Sequence, residues 1–211
     1  MKVNLYVHSD VNSSTTQVWE SFFMHYLPDW KYKLCFAEEI LNDDPEIILF
    51  PGGSGIAFAQ RLGESKRNEI VEWVRNGGCY IGVCAGAYLA ASHLRITPMR
   101  IPDKAWERGL HDVILETAKN FDREFLSGVN YHNGPIFKEH PDVEVWAYFK
   151  SNFLAEGGYY DMTDTPAITY NKFGNGHVHL FSPHLEKSED GIRAILADTF
   201  RNIYSKIKPE E

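Results

Sequence analysis

Two short apolar runs, Ile47-Ile48-Leu49-Phe50 and Cys79-Tyr80-Ile81-Gly82-Val83, flank a segment of helical length, and each runs into glycines. Consecutive apolar residues without polar alternation suit strands covered on both faces. The first run breaks at Pro51-Gly52-Gly53-Ser54-Gly55, a turn whose glycines are free to take positive φ. Between the runs, Ser65 is placed to cap a helix, and Ile70, Val71, Trp73 and Val74 form its inner face. Gly77-Gly78 ends it. The second run passes through Cys84 into Ala85-Gly86-Ala87-Tyr88, small residues that open another helix. Strand, helix, strand, helix in this order predicts parallel βαβ units in an α/β, doubly wound, mostly parallel sheet with helices on both faces. Ligands of such sheets bind at the carboxyl ends of the strands, where the Pro51–Gly55 turn and Cys84 both lie.

The rest of the chain extends this pattern. Val3 to Val7 reads as a first strand, and Asn12 to Thr16 supplies helix caps. Val18, Trp19, Phe22, Phe23 and Tyr26 form a helical stripe that Pro28 stops, and Tyr32 to Phe36 reads as a second strand. Leu94 to Val129 is expected to be an insertion or flap, with a helix carrying Trp106, Leu110, Val113, Ile114 and Ala118. Tyr131-His132-Asn133-Gly134-Pro135 reads as a polar turn. Val143, Val145 and Ala147 alternate as a strand, and residues 167–170 and 177–181 predict a hairpin around Phe173–Gly176. A final helix is expected from about Asp190, with Ile192, Ile195, Leu196, Phe200, Ile203 and Ile207 on one face. With no repeat, linker or low-complexity segment, residues 1–211 are expected to form a single domain.

The bulk numbers narrow the function. A net charge of −8 lacks the basic footprint of a nucleic-acid or anionic-membrane surface. No apolar run approaches membrane-spanning length, and the first residues are too strand-like for a signal peptide. Three cysteines, Cys35, Cys79 and Cys84, suit free thiols in a reducing cytoplasm better than a disulfide framework.

A cysteine nucleophile needs a base, an orienter for that base, and donors for the oxyanion. Cys84 sits on a predicted strand-to-helix turn, with Gly82 and Gly86 removing side-chain crowding on either side. A helix N-terminus behind it would favour the thiolate. His184 ends a predicted strand with Glu186 two residues on, a carboxylate placed to hold one imidazole nitrogen. The Gly52-Gly53 turn and the N–H of Ala85 are candidate oxyanion donors. Each piece has a plainer reading: a buried structural cysteine, a solvated His-x-Glu loop, an ordinary glycine turn. Their convergence on one sheet edge favours the site. His177 and His179 alternate on one strand but have no evident third partner, so no metal is expected. No phosphate-binding or dinucleotide fingerprint is present, and no cofactor is expected.

Phe50-Pro51-Gly52-Gly53, Gly82-Val83-Cys84-Ala85-Gly86-Ala87-Tyr88 and Ser182-Pro183-His184-Leu185-Glu186 resemble the class I glutamine-amidotransferase-like superfamily. Within it, the chain resembles most the N-terminal, amidotransferase-like domain of biotin–protein ligase and its stand-alone bacterial relatives. Tyr131–Pro135, Val143–Tyr148 and Gly174–Gly176 support that subfamily, and the resemblance runs from Val3 to about Phe200. It implies a flavodoxin-like fold with Cys84 as nucleophile, His184 as base and Glu186 as orienting acid. Gly52, Gly53 and Ala85 would form the oxyanion hole, and Tyr88, His132 and Asn133 would border the substrate. The implied chemistry is thiolate attack on a carboxamide, release of ammonia, and hydrolysis of the thioester. Glutaminases of this class read Cys-x-Gly-x-Gln, and the Gln position is Tyr88 here; His-Pro-Glu is His184-Leu185-Glu186.

Three readings follow. The first is a Cys-dependent hydrolase or amidotransferase-like protein acting on a small carboxamide, with a partner protein or synthase chain to receive ammonia. The second is a binding or regulatory module that keeps the fold without turnover. The third is the protease-like or aldehyde-handling branch, which places a histidine directly after the nucleophile and an acid nearby. Here that next residue is Ala85, and Asp10 is the one candidate acid.

Overall fold

The computed structural model describes residues 1–8, 13–103, 106, 108–118, 121–151 and 161–208. Asp10 lies outside the described residues. A nine-stranded sheet runs through the molecule. Its strands are β1 (Lys2–Tyr6), β2 (Lys31–Cys35), β3 (Ile47–Phe50), β4 (Cys79–Val83), β5 (Leu110–Thr117), β6 (Phe125–His132), β7 (Glu144–Phe149), β8 (Pro166–Phe173) and β9 (Gly176–Phe181). They lie in the order β2-β1-β3-β4-β9-β8-β7-β5-β6. The strands from β2 to β9 pair in parallel, and the pairings from β9 to β6 are antiparallel. The fold is α/β and doubly wound, as expected, with an antiparallel extension on one side.

Helices cover both faces. α1 (Ser14–Tyr26) and α4 (Asp190–Ile207) pack on one side, where Trp19, Phe22, Phe23 and Phe200 bury against Ile81 and Phe181. The Trp19 and Phe200 rings stack with centroids 6.0 Å apart. α2 (Gly55–Arg75) and α3 (Ala85–Tyr88) cover the other side, over Ile48, Phe50, Tyr80 and Val178. The strands β3, β4 and β9 are buried at every residue, which explains the unbroken apolar runs of β3 and β4.

Two sequence expectations are corrected. α2 starts at Gly55 with Ser54 as its cap, eleven residues before Ser65, and bends at Gly63, where φ is 66°. The glycine turn is therefore shorter than expected, and Ser65 bonds Glu69 on the exposed face instead. The segment 110–118 is not a helix. Val113 and Leu115 are buried while Asp112 and Ile114 are exposed, a period of two, and β5 pairs with β6 as a hairpin. Leu110 and Ile114, expected on a helix face, are exposed on this strand.

Candidate active site

The parallel strands bring the site together. β4 lies between β3 and β9, with Phe50 opposite Gly82 and Val83 opposite Phe181. Each chain leaves its strand at the same edge. Pro51-Gly52-Gly53, Cys84 and Ser182-Pro183-His184 therefore emerge side by side, although they are far apart in sequence.

Cys84 turns sharply out of β4 with φ 49° and ψ −98°, a conformation that costs a non-glycine residue energy and persists only where the surroundings impose it. Three backbone bonds do so. The Cys84 N–H donates to the Phe181 carbonyl at 2.8 Å, the Gly86 N–H to the Pro51 carbonyl at 3.2 Å, and the Tyr88 N–H to the Cys84 carbonyl at 3.0 Å. The flanking glycines are required by close approach. A Cβ on Gly86 would lie 2.1 Å from the Phe50 carbonyl oxygen, and one on Gly82 would lie 2.7 Å from the Gly86 backbone. Behind Cys84, the helix is one α turn that runs into a π-helical turn, Leu89–Leu94. Its dipole is correspondingly short, so a charged partner matters more than the helix end. As the first residue of α3, Ala85 has an N–H with no intrahelical acceptor.

That charged partner is His184. Its Nδ1 lies 2.8 Å from Oε1 of Glu186, and its ring also interacts with the Cys84 side chain. With Nδ1 on the carboxylate, Nε2 is the nitrogen left for sulfur. Cys84, His184 and Glu186 are 5%, 2% and 1% exposed. Burial alone would hold the imidazole neutral. The Glu186 charge and the hydrogen bonds to Cys84 and Glu186 outweigh it and push the His184 pKa up to about 10. By contrast, burial pushes the Cys35 thiol up to about 11 and the Cys79 thiol higher still. Gly52 lies directly against the His184 ring, and Gly53, with φ 151°, against Phe58.

The expected bordering residues also lie here. His132 is exposed, and it is its backbone carbonyl that meets the Cys84 thiol, at 3.4 Å. Asn133 takes φ 60° and turns the chain back, and Gly134 packs against Ser182, where a Cβ would lie 2.1 Å from the Ser182 carbonyl oxygen. The Tyr88 hydroxyl donates to the Asn133 carbonyl at 3.1 Å. Two residues that sequence reasoning left out of the site complete this wall. Arg108 Nη1 donates to the Tyr88 hydroxyl at 2.9 Å and to the Asn133 carbonyl at 3.2 Å. Trp106 stacks beside Tyr88 and donates its Nε1–H to Tyr131 and to the Gly134 carbonyl. No spacing in the sequence pointed to either, because a strand hairpin delivers them from outside the βαβ core.

His177 and His179 share a face, as expected, but His177 lies at the opposite end of β9 and His179 in its middle. His177 contacts Tyr170 and Lys172, and His179 stacks on Tyr170. Among the described residues, no group of three or more His, Cys, Asp or Glu could hold a metal ion.

Comparison with known proteins agrees with this architecture. Residues 8–100 match the family model described as Biotin-protein ligase, N terminal. An uncharacterised protein of Chlamydia muridarum (strain MoPn / Nigg) is 32% identical over 171 residues, covering 71% of this chain and 63% of that protein. The biotin–protein ligase of Schizosaccharomyces pombe is 30% identical over 178 residues, covering 69% of this chain and 26% of the ligase. The chain thus spans less than two thirds of either relative. Among solved structures, PurLQS from Thermotoga maritima superposes with a TM-score of 0.71 at 16% identity, over 98% of this chain and 99% of that one. A glutamine amidotransferase from the same organism gives 0.60 at 12% identity, over 100% of this chain and 86% of that one. A β-galactosidase from Bacillus circulans gives 0.65 at 12% identity, over 96% of this chain but 31% of the enzyme. At these identities the structures speak to fold alone. Residues 8–100 thus match the biotin–protein ligase N-terminal family, and over nearly its whole length the chain has the fold of glutamine amidotransferases.

Proposed function

We propose that the chain is a cysteine-dependent, amidotransferase-like hydrolase that cleaves a C–N bond of a small carboxamide. The observation that carries this reading is the backbone of Cys84, bent out of β4 at φ 49° beside a histidine held by a buried glutamate. The Cys84 sulfur attacks the carboxamide carbon, and the N–H of Ala85 and the Gly52-Gly53 turn receive the oxygen as it gains charge. His184, cationic through Glu186, gives a proton from Nε2 to the departing nitrogen, and ammonia leaves a thioester. Water, deprotonated by His184, attacks that thioester, releasing the carboxylic acid and regenerating the thiol.

The rest of the reading follows from this chemistry. Residues 1–211 act as one unit without a cofactor, in the cytoplasm, and a partner chain receives the ammonia. PurLQS, whose structure this chain resembles, makes such a partner a reasonable part of the proposal. No helix among the described residues is long and apolar enough to cross a membrane. One observation favours the second reading, a binding module without turnover: Cys84 and His184 are both almost fully buried.

Alkylation separates the two. With the triad working, iodoacetamide near pH 6 labels Cys84 much faster than Cys35 or Cys79, as read by peptide mass spectrometry, and His184→Ala slows it. Equal, slow labelling of all three thiols would sink the enzyme reading. Ammonia released from glutamine by wild type, but not by Cys84→Ala, would then identify a glutaminase.

A further inference from the structure

Strand β6 ends the sheet, and its outer edge reaches the site through a serine. In an antiparallel bridge, two facing residues exchange both of their N–H···O bonds. Asn130 of β6 faces His184 in such a bridge. One of the two bonds is direct: the His184 N–H donates to the Asn130 carbonyl at 2.6 Å. The other passes through a side chain. The Asn130 N–H donates to Ser188 Oγ at 2.9 Å, and the Ser188 hydroxyl donates in turn to the His184 carbonyl at 3.0 Å. A hydroxyl, which both accepts and donates, is thereby inserted into the ladder.

The same hydroxyl closes the turn that carries His184 and Glu186. Leu185–Lys187 form one 3₁₀ turn. The Lys187 N–H donates to the His184 carbonyl at 3.1 Å, and the Ser188 N–H to the Leu185 carbonyl at 3.2 Å. By reaching back to the His184 carbonyl, the Ser188 side chain ties the end of the turn to its start. Within this turn His184 Nδ1 stands 2.8 Å from Glu186. Two residues beyond Asn130, on the same strand, the His132 carbonyl meets the Cys84 thiol at 3.4 Å. One side chain therefore joins the segment that carries the imidazole to the strand that touches the sulfur. Ser188 is buried, and a buried N–H left without an acceptor is costly.

We propose that Ser188 is a positioning residue: its hydroxyl sets the spacing between His184 and β6 and so keeps the imidazole in line with the Cys84 sulfur. The inference rests on Cys84 being the nucleophile and His184 its base. A direct bond would draw the Asn130 nitrogen and the His184 carbonyl oxygen to about 2.9 Å, whereas two bonds through one oxygen let them stand farther apart. Without the hydroxyl the two segments close on each other or part, and either change moves the backbone from which the imidazole projects. Small misplacements of a reacting group cost large factors in rate.

Iodoacetamide labelling of Cys35, Cys79 and Cys84, read by peptide mass spectrometry, tests it. Ser188→Ala is expected to slow Cys84 by about tenfold and to leave Cys35 and Cys79 unchanged. A residue that merely stabilised the fold would do the reverse, because loosening speeds all three buried thiols. Ser188→Thr keeps the hydroxyl and is expected to keep most of the wild-type rate. In a His184→Ala background, Ser188→Ala is expected to add nothing, since the path by which the serine acts is already gone. If Ser188→Ala does not fold, as judged by urea unfolding, Ser188→Cys carries the test, and its weaker donor and acceptor should give an intermediate rate. A wild-type rate at Cys84 in the variant that folds, a shared rise in all three rates, or an equal slowing with and without His184 overturns the inference while the nucleophile reading stands. If Cys84 of the wild type labels no faster than Cys35 and Cys79, that reading fails and the inference fails with it.

Discussion

Gly52 lacks a side chain because His184 occupies the place where one would go: a Cβ built on Gly52 lies 2.5 Å from Cε1 of the His184 ring and 3.4 Å from each ring nitrogen. The glycine after β3 and the histidine after β9 are thereby fitted to each other across β4. The imidazole is gripped by Glu186 at Nδ1 and by the Gly52 backbone at its Cε1 edge, while the backbone N–H of His184 donates to the Asn130 carbonyl at 2.6 Å. A ring held on two sides from a pinned backbone has little freedom to rotate away from the thiol.

Gly52→Ala is therefore expected to push the imidazole off Nε2–sulfur alignment. Displacements of this size near reacting atoms cost large factors in rate, so Cys84 alkylation should slow by about tenfold or more. Crowding a filled site should also lower stability by about 1–3 kcal/mol. Gly191→Ala is the control, since a Cβ there meets nothing within 4 Å. Iodoacetamide rates and urea midpoints of both variants check this; a Gly52→Ala protein with wild-type alkylation would mean that His184 does not govern Cys84.

The His184–Glu186 pair predicts how stability varies with alkali. Folding raises the His184 pKa from the ordinary value near 6.5 to about 10, so the folded state holds this proton more tightly than the unfolded chain. The contribution is complete below about pH 6.5 and fades as pH climbs through about 10. Removing the carboxylate charge by Glu186→Gln removes the cause of the rise. The gap in unfolding free energy between wild type and Glu186→Gln should shrink from pH 6.5 to 10, by up to about 1.4 kcal/mol per pH unit. Urea titrations across that range read it directly, and a gap independent of pH would contradict the pairing.

His179 predicts the opposite limb. It is fully buried under Trp146 and Tyr170, neither ring nitrogen has a partner among the described residues, and burial, then His177 and Lys206, drive its pKa well below the ordinary value. Burial, with Lys172 and Lys206, also lowers His177, to about 4. The folded state keeps these rings neutral while the unfolded chain takes up protons below about pH 6.5, so stability falls as pH drops. His179→Phe should make that acid-side fall shallower, by up to about 1.4 kcal/mol per pH unit between pH 6 and 5. At pH 7 it should be neutral to stabilising, because it deletes two unsatisfied polar atoms. Thermal unfolding midpoints at several pH values decide it, and an unchanged acid slope would show that His179 is not the titrating group.

Much of the parallel half was readable without coordinates. Ile47–Phe50 declares itself because a strand between two helical layers has no solvent face to mark with polar residues. Cys84 and His184 could be assigned to one edge because parallel strands all end at the same side, whatever the distance along the chain. The antiparallel half was harder. Leu110 and Ile114 suggested a helix because exposed apolar residues on a hairpin blur the period-two pattern, and Ser65 looked like a cap although Ser54 holds that role eleven residues earlier.

What the sequence determined by itself is the order of the βαβ units, and hence the meeting of a cysteine, a histidine and a glycine turn, since local patterning and strand direction suffice for that. Only the tertiary structure decided what surrounds them. Arg108 and Trp106 reach Tyr88 because β5 and β6 return to the site, where His184 bridges Asn130. That return depends on long-range strand pairing and side-chain packing, which leave no periodic trace in the residues that make it.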